Sequence, residues 1–226
     1  MIRSLKPESM MHDAVDVNAM YAHEVCRHMD RNDFGTSAHC HSTPYNQIFG
    51  NLQIVNITCT ACTAVSRIYE RAHVQLLSLH NVPGDDLHAL LNNFFAPEEL
   101  DETFRCETCL AMGRGTKTVR VTHWPQVLLL GLKRFYFDTV TGRPEKINRR
   151  ILYTMDLPNI DDGNYRLRAV IVHTGQARFG HYYAYVRALS NNWYHCNDTG
   201  LPRQVDPNTV LQQQNAYMLV YEKRYY

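Results

Sequence analysis

Four cysteines in two identical spacings, Cys59-x-x-Cys62 and Cys106-x-x-Cys109, have the residue types and pattern of a metal site. Each tight Cys-x-x-Cys turn delivers two thiolates to one side of a tetrahedral Zn2+, and a second turn closes the shell. The span between the two pairs exceeds the compact zinc-ribbon template, so the turns are expected to cap separate hairpins. Four thiolates leave no open coordination position, and such an ion would hold the fold without binding substrate. Of the competing readings, chance rarely gives four buried thiols two such spacings together, and disulfides need an oxidising compartment for which the sequence shows no recognisable secretory signal.

Further along, Gly180-His181-Tyr182 and Asn197-Asp198 offer an imidazole and a side-chain amide with an adjacent carboxylate. A cysteine hydrolase needs a thiolate, a base to form it, and a group that keeps the base in one tautomer. Histidine and asparagine suit the second and third roles. Taken alone, they also suit a surface histidine at a strand start and an Asn-Asp turn. His23, His28, His80 and His88 are scattered singly and read as solvated or core-satisfied rings. Cys26-x-His28 and His39-Cys40-His41 lack a paired partner at ligand spacing.

The whole chain must position these groups. Its 226 residues suffice for one large domain with a real core, and 45% hydrophobic with 20% charged residues is a globular composition. No run of 18 or more apolar residues exists, so no membrane anchor is expected. With 23 basic against 22 acidic side chains the net charge is +1, and the densest basic spots are Lys133-Arg134 and Arg149-Arg150. No stripe suited to nucleic acid emerges.

Residues 10–29 carry apolar side chains at three- and four-residue steps and predict one amphipathic helix, followed by a loop over 31–44. From Ile48 the signal turns to strand, with short apolar runs at 52–58, 64–69, 74–79, 117–121, 127–132, 167–173, 182–187, 193–196 and 217–221. Two short helices interrupt them. Asp86 caps 87–95, which ends before Pro97, and Asp206-Pro207 launches 208–214. The expected fold class is α+β, one domain with a zinc-tipped β extension.

Read as strings, the second half gives Pro125-Gln126-Val127-Leu128-Leu129-Leu130-Gly131-Leu132-Lys133-Arg134-Phe135, Val172-His173-Thr174-Gly175, Gly180-His181-Tyr182-Tyr183-Ala184-Tyr185-Val186, Trp193-Tyr194-His195-Cys196-Asn197-Asp198 and Ala216-Tyr217-Met218-Leu219-Val220-Tyr221. In this order, downstream of both Cys-x-x-Cys pairs, they resemble the ubiquitin-specific protease family of deubiquitinating cysteine proteases, over residues 45–221. His12-Asp13-Ala14-Val15-Asp16-Val17 more weakly resembles that family's Gln-Asp-Ala-x-Glu-Phe helix, and Gln47-Ile48-Phe49-Gly50 its approach to the fingers.

The resemblance implies a papain-like core of thumb, palm and fingers. Residues 1–47 would be a remnant of the thumb and helical region, 48–124 the zinc-binding fingers and 125–226 the palm. It implies His181 as general base, Asn197 as its orienter and Asp198 as an assisting acid. Cys59, Cys62, Cys106 and Cys109 would hold a structural Zn2+, and ubiquitin and ubiquitinated proteins would be the partners. Tyr182, Tyr183 and the short loop Gln176 to Phe179 would border the channel for ubiquitin's tail.

The family's nucleophile motif, resembling Gly-Asn-Thr-Cys-Tyr-x-Asn, does not occur in these 226 residues. Cys26 falls late in the predicted helix, where the dipole raises a thiol pKa. Cys40 lies in a loop between histidines, and Cys196 reads as a packing residue. A fragment or isoform of an active protease and a degenerate, ubiquitin-binding copy therefore both remain open, with a zinc-ribbon interaction module as a third alternative. A palm without its thumb would expose an apolar face and call for a partner or self-association. The expected location is the cytoplasm or nucleus.

Overall fold

Asn51–Cys59 alternates buried and half-buried side chains over its first six residues, the signature of a strand with one packed face. In the computed structural model, which describes residues 43–80, 82–160, 163–198 and 200–224, this strand (β1) is central to a four-stranded antiparallel sheet. It pairs with β2 (Val65–Ala72) on one side and β5 (Gly115–His123) on the other, and β5 pairs with the two-residue β4 (Glu98–Glu99). The predicted helix over 10–29, His12–Val17, Cys26 and Cys40 lie outside the described residues.

The larger sheet has eight strands. Along its path run β13 (Arg203–Val205), β12 (Trp193–Cys196), β11 (Gly180–Arg187), β10 (Gly163–Gly175), β14 (Ala216–Arg224), β6 (Val127–Lys133) and β3 (Gln75–Ser78), with β9 (Asp156–Ile160) paired to β10. All pairs are antiparallel except β3 with β6. A separate hairpin joins β7 (Phe135–Asp138) to β8 (Arg143–Lys146). Residues 48–124 therefore contribute to both sheets, the middle of the segment to the larger one.

Three short helices complete the described residues. In α1 (Pro44–Phe49) the Thr43 hydroxyl accepts from the Asn46 N–H, and in α2 (Leu87–Phe95) the Asp86 carboxylate accepts from the Ala89 N–H at 2.8 Å. The bounds of α2 are those its cap and Pro97 predict. By contrast α3 (Pro207–Leu211) stops short of the expected 214, because the Gln212 N–H already closes the last turn on the Asn208 carbonyl and the chain leaves for β14. None of these helices is long and apolar enough to cross a membrane.

The main core lies on one face of the larger sheet. Leu128, Leu130 and Leu132 alternate along β6, and Leu87, Leu90 and Leu91 of α2 join the same core cluster at helical spacing. On the opposite face Tyr217 and Met218 are buried, with Ile171, Tyr182 and Phe135 around them.

Among the described residues, one charged side chain is wholly buried. Arg134 continues the alternation of β6 inward, and its guanidinium donates to four backbone carbonyls: Nε to Ala216 at 2.6 Å, Nη1 to Ile147 at 2.9 Å and Arg149 at 2.7 Å, Nη2 to Gln214 at 3.1 Å. Arg149 in turn donates to the Leu79 and Val82 carbonyls. One arginine from each of the two basic spots thus cross-links backbone segments. Burial lowers the Arg134 pKa to about 10, so it stays charged at neutral pH.

Arg134→Met should strand one buried and three part-buried carbonyl acceptors and cost about 3 kcal/mol or more, read as the shift in a urea unfolding midpoint. An unchanged midpoint would mean that water reaches those carbonyls.

Candidate active site and metal centre

The two Cys-x-x-Cys turns are built alike. In the first, the Cys59 carbonyl accepts from the Thr63 N–H at 2.9 Å and the Cys59 N–H donates to Ala64. In the second, Cys106 makes the same pair of bonds with Leu110 and Ala111. Thr63 and Leu110 both take left-handed backbone, at φ 60° and 62°, and this reverses the chain directly after each second cysteine. The first turn links β1 to β2, and the second sits in a small hairpin marked by the Arg105–Met112 bridge.

The four sulfurs converge at the end of the smaller sheet, all within 4.8 Å of one another. Cys59 to Cys109 and Cys62 to Cys106 are each 3.7 Å. Tetrahedral Zn2+ with Zn–S of about 2.3 Å requires sulfur separations of about 3.8 Å, so the cluster fits that ion. The thiols are also electrostatically unequal. Backbone N–H groups of Cys109 and Thr108 hold Cys106 down at about 6. At Cys62 the Ala64 N–H favours the thiolate, yet the Cys109 sulfur, burial and the other two sulfurs push it up to about 12. A divalent cation would remove that competition by taking all four as thiolates.

The second group of residues is presented by the β10–β11 hairpin. Gly175 pairs with Gly180 and Thr174 with His181, and the Gln176 N–H closes the turn on the Phe179 carbonyl at 2.8 Å. Gly175 has φ +95°, and a Cβ there would lie 2.5 Å from the Phe179 oxygen. Gly180 is required for a different reason: a Cβ would meet Nε2 of His173 at 1.9 Å. The glycine before His181 thus makes room for a second imidazole beneath it.

His181 stands exposed at the start of β11, with its Nε2 2.5 Å from Oδ1 of Asn197, just past the end of the neighbouring β12. An amide oxygen only accepts, so this bond places the proton on Nε2 and leaves Nδ1 as the basic nitrogen. Asp198, at φ 41°, brings Oδ2 to 3.8 Å from the same Nε2, within ion-pair distance of an imidazolium. His181, Asn197 and Asp198 thus come together as one constellation. Cys196 lies in β12 opposite Ala184, half-buried.

Sequence reasoning gives no role to His173. It is buried between the edge-on ring of Phe135 at 5.1 Å and the tilted ring of Tyr182 at 4.6 Å. Its Nδ1 has no hydrogen-bond partner among the described residues. Burial, reinforced by the positive charges of Lys146 and Arg134, lowers its pKa to about 4, so it is neutral. The Lys146 ammonium bonds the carbonyls of His173 at 2.9 Å and Gly175 at 3.0 Å, which ties the β7–β8 hairpin to the turn before His181.

A family model described as ubiquitin carboxyl-terminal hydrolase matches residues 1–221. The chain belongs to that family, the ubiquitin-specific proteases. Among curated relatives, ubiquitin carboxyl-terminal hydrolase 19 of Arabidopsis thaliana is 35% identical over 197 residues, covering 80% of this chain and 28% of the relative. The 17-like protein D of Mus musculus is 32% identical, covering 88% of this chain and 37% of its own length. Among solved structures, the SAGA DUB module with Ubp8, Sgf11, Sus1 and Sgf73 bound to ubiquitin aldehyde superposes with a TM-score of 0.76 at 21% identity, over 95% of this chain and 50% of that chain. The same module bound to monoubiquitin also gives 0.76, at 23% identity over 95% and 49%. The α+β architecture is therefore the papain-like ubiquitin-specific protease fold with a four-cysteine cluster at the tip of the smaller sheet. This chain spans little more than a third, or less, of each of those two curated relatives.

Chelation or Cys59→Ser should release about one Zn2+ per chain and raise amide exchange in β1, β2 and β5 far more than in β10 and β14, since few apolar groups hold the smaller sheet. Uniform exchange changes would contradict a local structural metal. Because His173 has a folded pKa near 4 against 6.5 unfolded, the unfolded chain binds more protons between those values. Stability should be full above pH 6.5 and fall as the pH drops toward 4, with a shallower fall in His173→Gln; parallel curves for the two proteins would refute the assignment.

Proposed function

We propose that the chain is the fingers and palm portion of a thiol-dependent deubiquitinase, which hydrolyses the isopeptide bond after the C-terminal glycine of ubiquitin. The reading is carried by one observation, the 2.5 Å contact between His181 Nε2 and Asn197 Oδ1 in a member of this family. The smaller sheet with its Zn2+ would serve as fingers and the larger sheet as palm, with ubiquitin and ubiquitinated proteins as partners, and neither nucleic acid nor membrane. The free cysteines accord with a cytoplasmic or nuclear setting.

The proposed chemistry follows from the free nitrogen. His181 Nδ1 takes the proton of a cysteine thiol supplied from outside the described residues, and the thiolate attacks the carbonyl carbon. The imidazolium, held by Asn197 with the Asp198 carboxylate beside it, returns that proton to the leaving lysine amine. A thioester remains, and His181 then deprotonates the water that hydrolyses it. Zn2+ would hold the fingers and take no part in these steps.

Ubiquitin carrying a C-terminal thiol-reactive electrophile tests this directly. Saturable binding is expected. An adduct mapped to Cys26 or Cys40 and slowed about 100-fold or more by His181→Ala would make the chain itself the enzyme. Binding without an adduct would favour the non-catalytic ubiquitin-binding alternative. Neither binding nor adduct would overturn the reading.

A further inference from the structure

β10 changes neighbours partway along its length. Ala169 is still paired with Val186 of β11, whereas Arg166 is paired with Asp156 of β9, so the end of one strand and the start of the other meet beside Arg168. On the other side of β10, β14 sets Glu222 opposite Arg166 and Arg224 opposite Asn164, with a register shift between Leu167 and Ala169. Four arginines are thereby gathered at one junction: Arg166 and Arg168 of β10, Arg187 at the end of β11 and Arg224 at the end of β14. All four reach solvent.

Two carboxylates serve them. Asp156 takes Arg166 at 3.5 Å and Arg224 at 3.7 Å, and Glu222 takes Arg168 at 2.9 Å. Arg187 has no ion-pair partner among the described residues, and its Nη2 bonds the Asn191 amide oxygen instead. Partial burial, and after it the charges of Arg166 and Arg168, lower the Arg187 pKa; Asp156 opposes that shift and Arg224 adds to it. Four positive charges against two negative leave an excess of two, crowded closely enough to repel one another.

That excess matches the charge of one phosphomonoester, about −1.5 to −2 near pH 7, and guanidinium forks grip its oxygens through paired N–H donors. Leu189, 91% exposed in the β11–β12 turn just past Arg187, gives the same surface an apolar contact. We propose that this junction binds a phosphorylated side chain of a partner protein. Arg187 lies about 20 Å along β11 from His181, at about 3.3 Å per residue, so an occupant here leaves the His181 constellation open. A membrane or a nucleic acid asks for a wide basic field, and the chain's net charge is only +1. Such a site serves an active or an inactive chain alike, so its test is separate from that of the deubiquitinase reading.

The test uses the full chain and a fluorescein-labelled peptide with one phosphoserine flanked by Ala, Gly and Leu, read by anisotropy against the same peptide carrying serine. The phosphopeptide should bind about tenfold or more tighter, and its affinity should fall as salt rises. Arg168→Gln with Arg187→Gln should weaken it about tenfold or more, whereas Arg67→Gln with Arg120→Gln, which removes two exposed charges from the smaller sheet, should leave it within about twofold. Equal affinity for the two peptides would overturn the proposal with no variant needed, and so would equal losses in the two double variants. Displacement of the phosphopeptide by ubiquitin would assign the junction to ubiquitin and overturn it. Tighter binding of phosphoinositide vesicles or of a DNA duplex than of the phosphopeptide would do the same in favour of a membrane or a nucleic acid.

Discussion

The fully buried Arg134 guanidinium is the constraint on which the site depends. It holds the Gln214 and Ala216 carbonyls on one side and those of Ile147 and Arg149 on the other. Between the first two, the Asn215 carbonyl accepts the His173 N–H, and just before the second two, Lys146 bonds the His173 and Gly175 carbonyls. His173 is thus fixed at both its N–H and its C=O. Its ring then determines that residue 180 is glycine, and Gly180 determines where His181 begins its strand. A charge without a carboxylate, satisfied only by carbonyls, defines geometry more than it adds net stability.

The smaller sheet obeys a different rule. Along β2 most side chains are exposed, and Val55 and Cys59 are the buried apolar residues of β1. So little apolar burial is a weak basis for four strands, and a tetrahedral ion at their tip would be the compensating cross-link. Duplicated hydrogen bonding in the two cysteine turns gives the thiols the arrangement such an ion would need. The larger sheet is held by hydrophobic burial and a buried cation, whereas the smaller sheet carries a four-cysteine cluster that could bind a metal.

Much of this was legible in the residues. Strand runs from 52–58 to 217–221 appear where their apolar alternation put them, and α2 starts and ends at its predicted cap and proline. The His181–Asn197–Asp198 grouping was legible through motif order. The β7–β8 hairpin was not, because Arg143-Pro144-Glu145-Lys146 has no apolar alternation and is secured by Lys146 on distant carbonyls. His173 was hidden by two register shifts in β10, which break the period of two that would reveal its face. Arg134 was hidden by residue type alone, since the even-numbered alternation of Leu128, Leu130 and Leu132 already pointed position 134 inward.

The central claim is that Asn197 locks His181 as the Nε2–H tautomer and so leaves Nδ1 to act as base. Long-range nitrogen–proton correlation spectra of the imidazoles, recorded where His181 is neutral, measure that tautomer directly. The account predicts a protonated Nε2 and a bare Nδ1 for His181, reverting toward a tautomer mixture in Asn197→Ala. A His181 protonated on Nδ1, or one indifferent to Asn197, would contradict it.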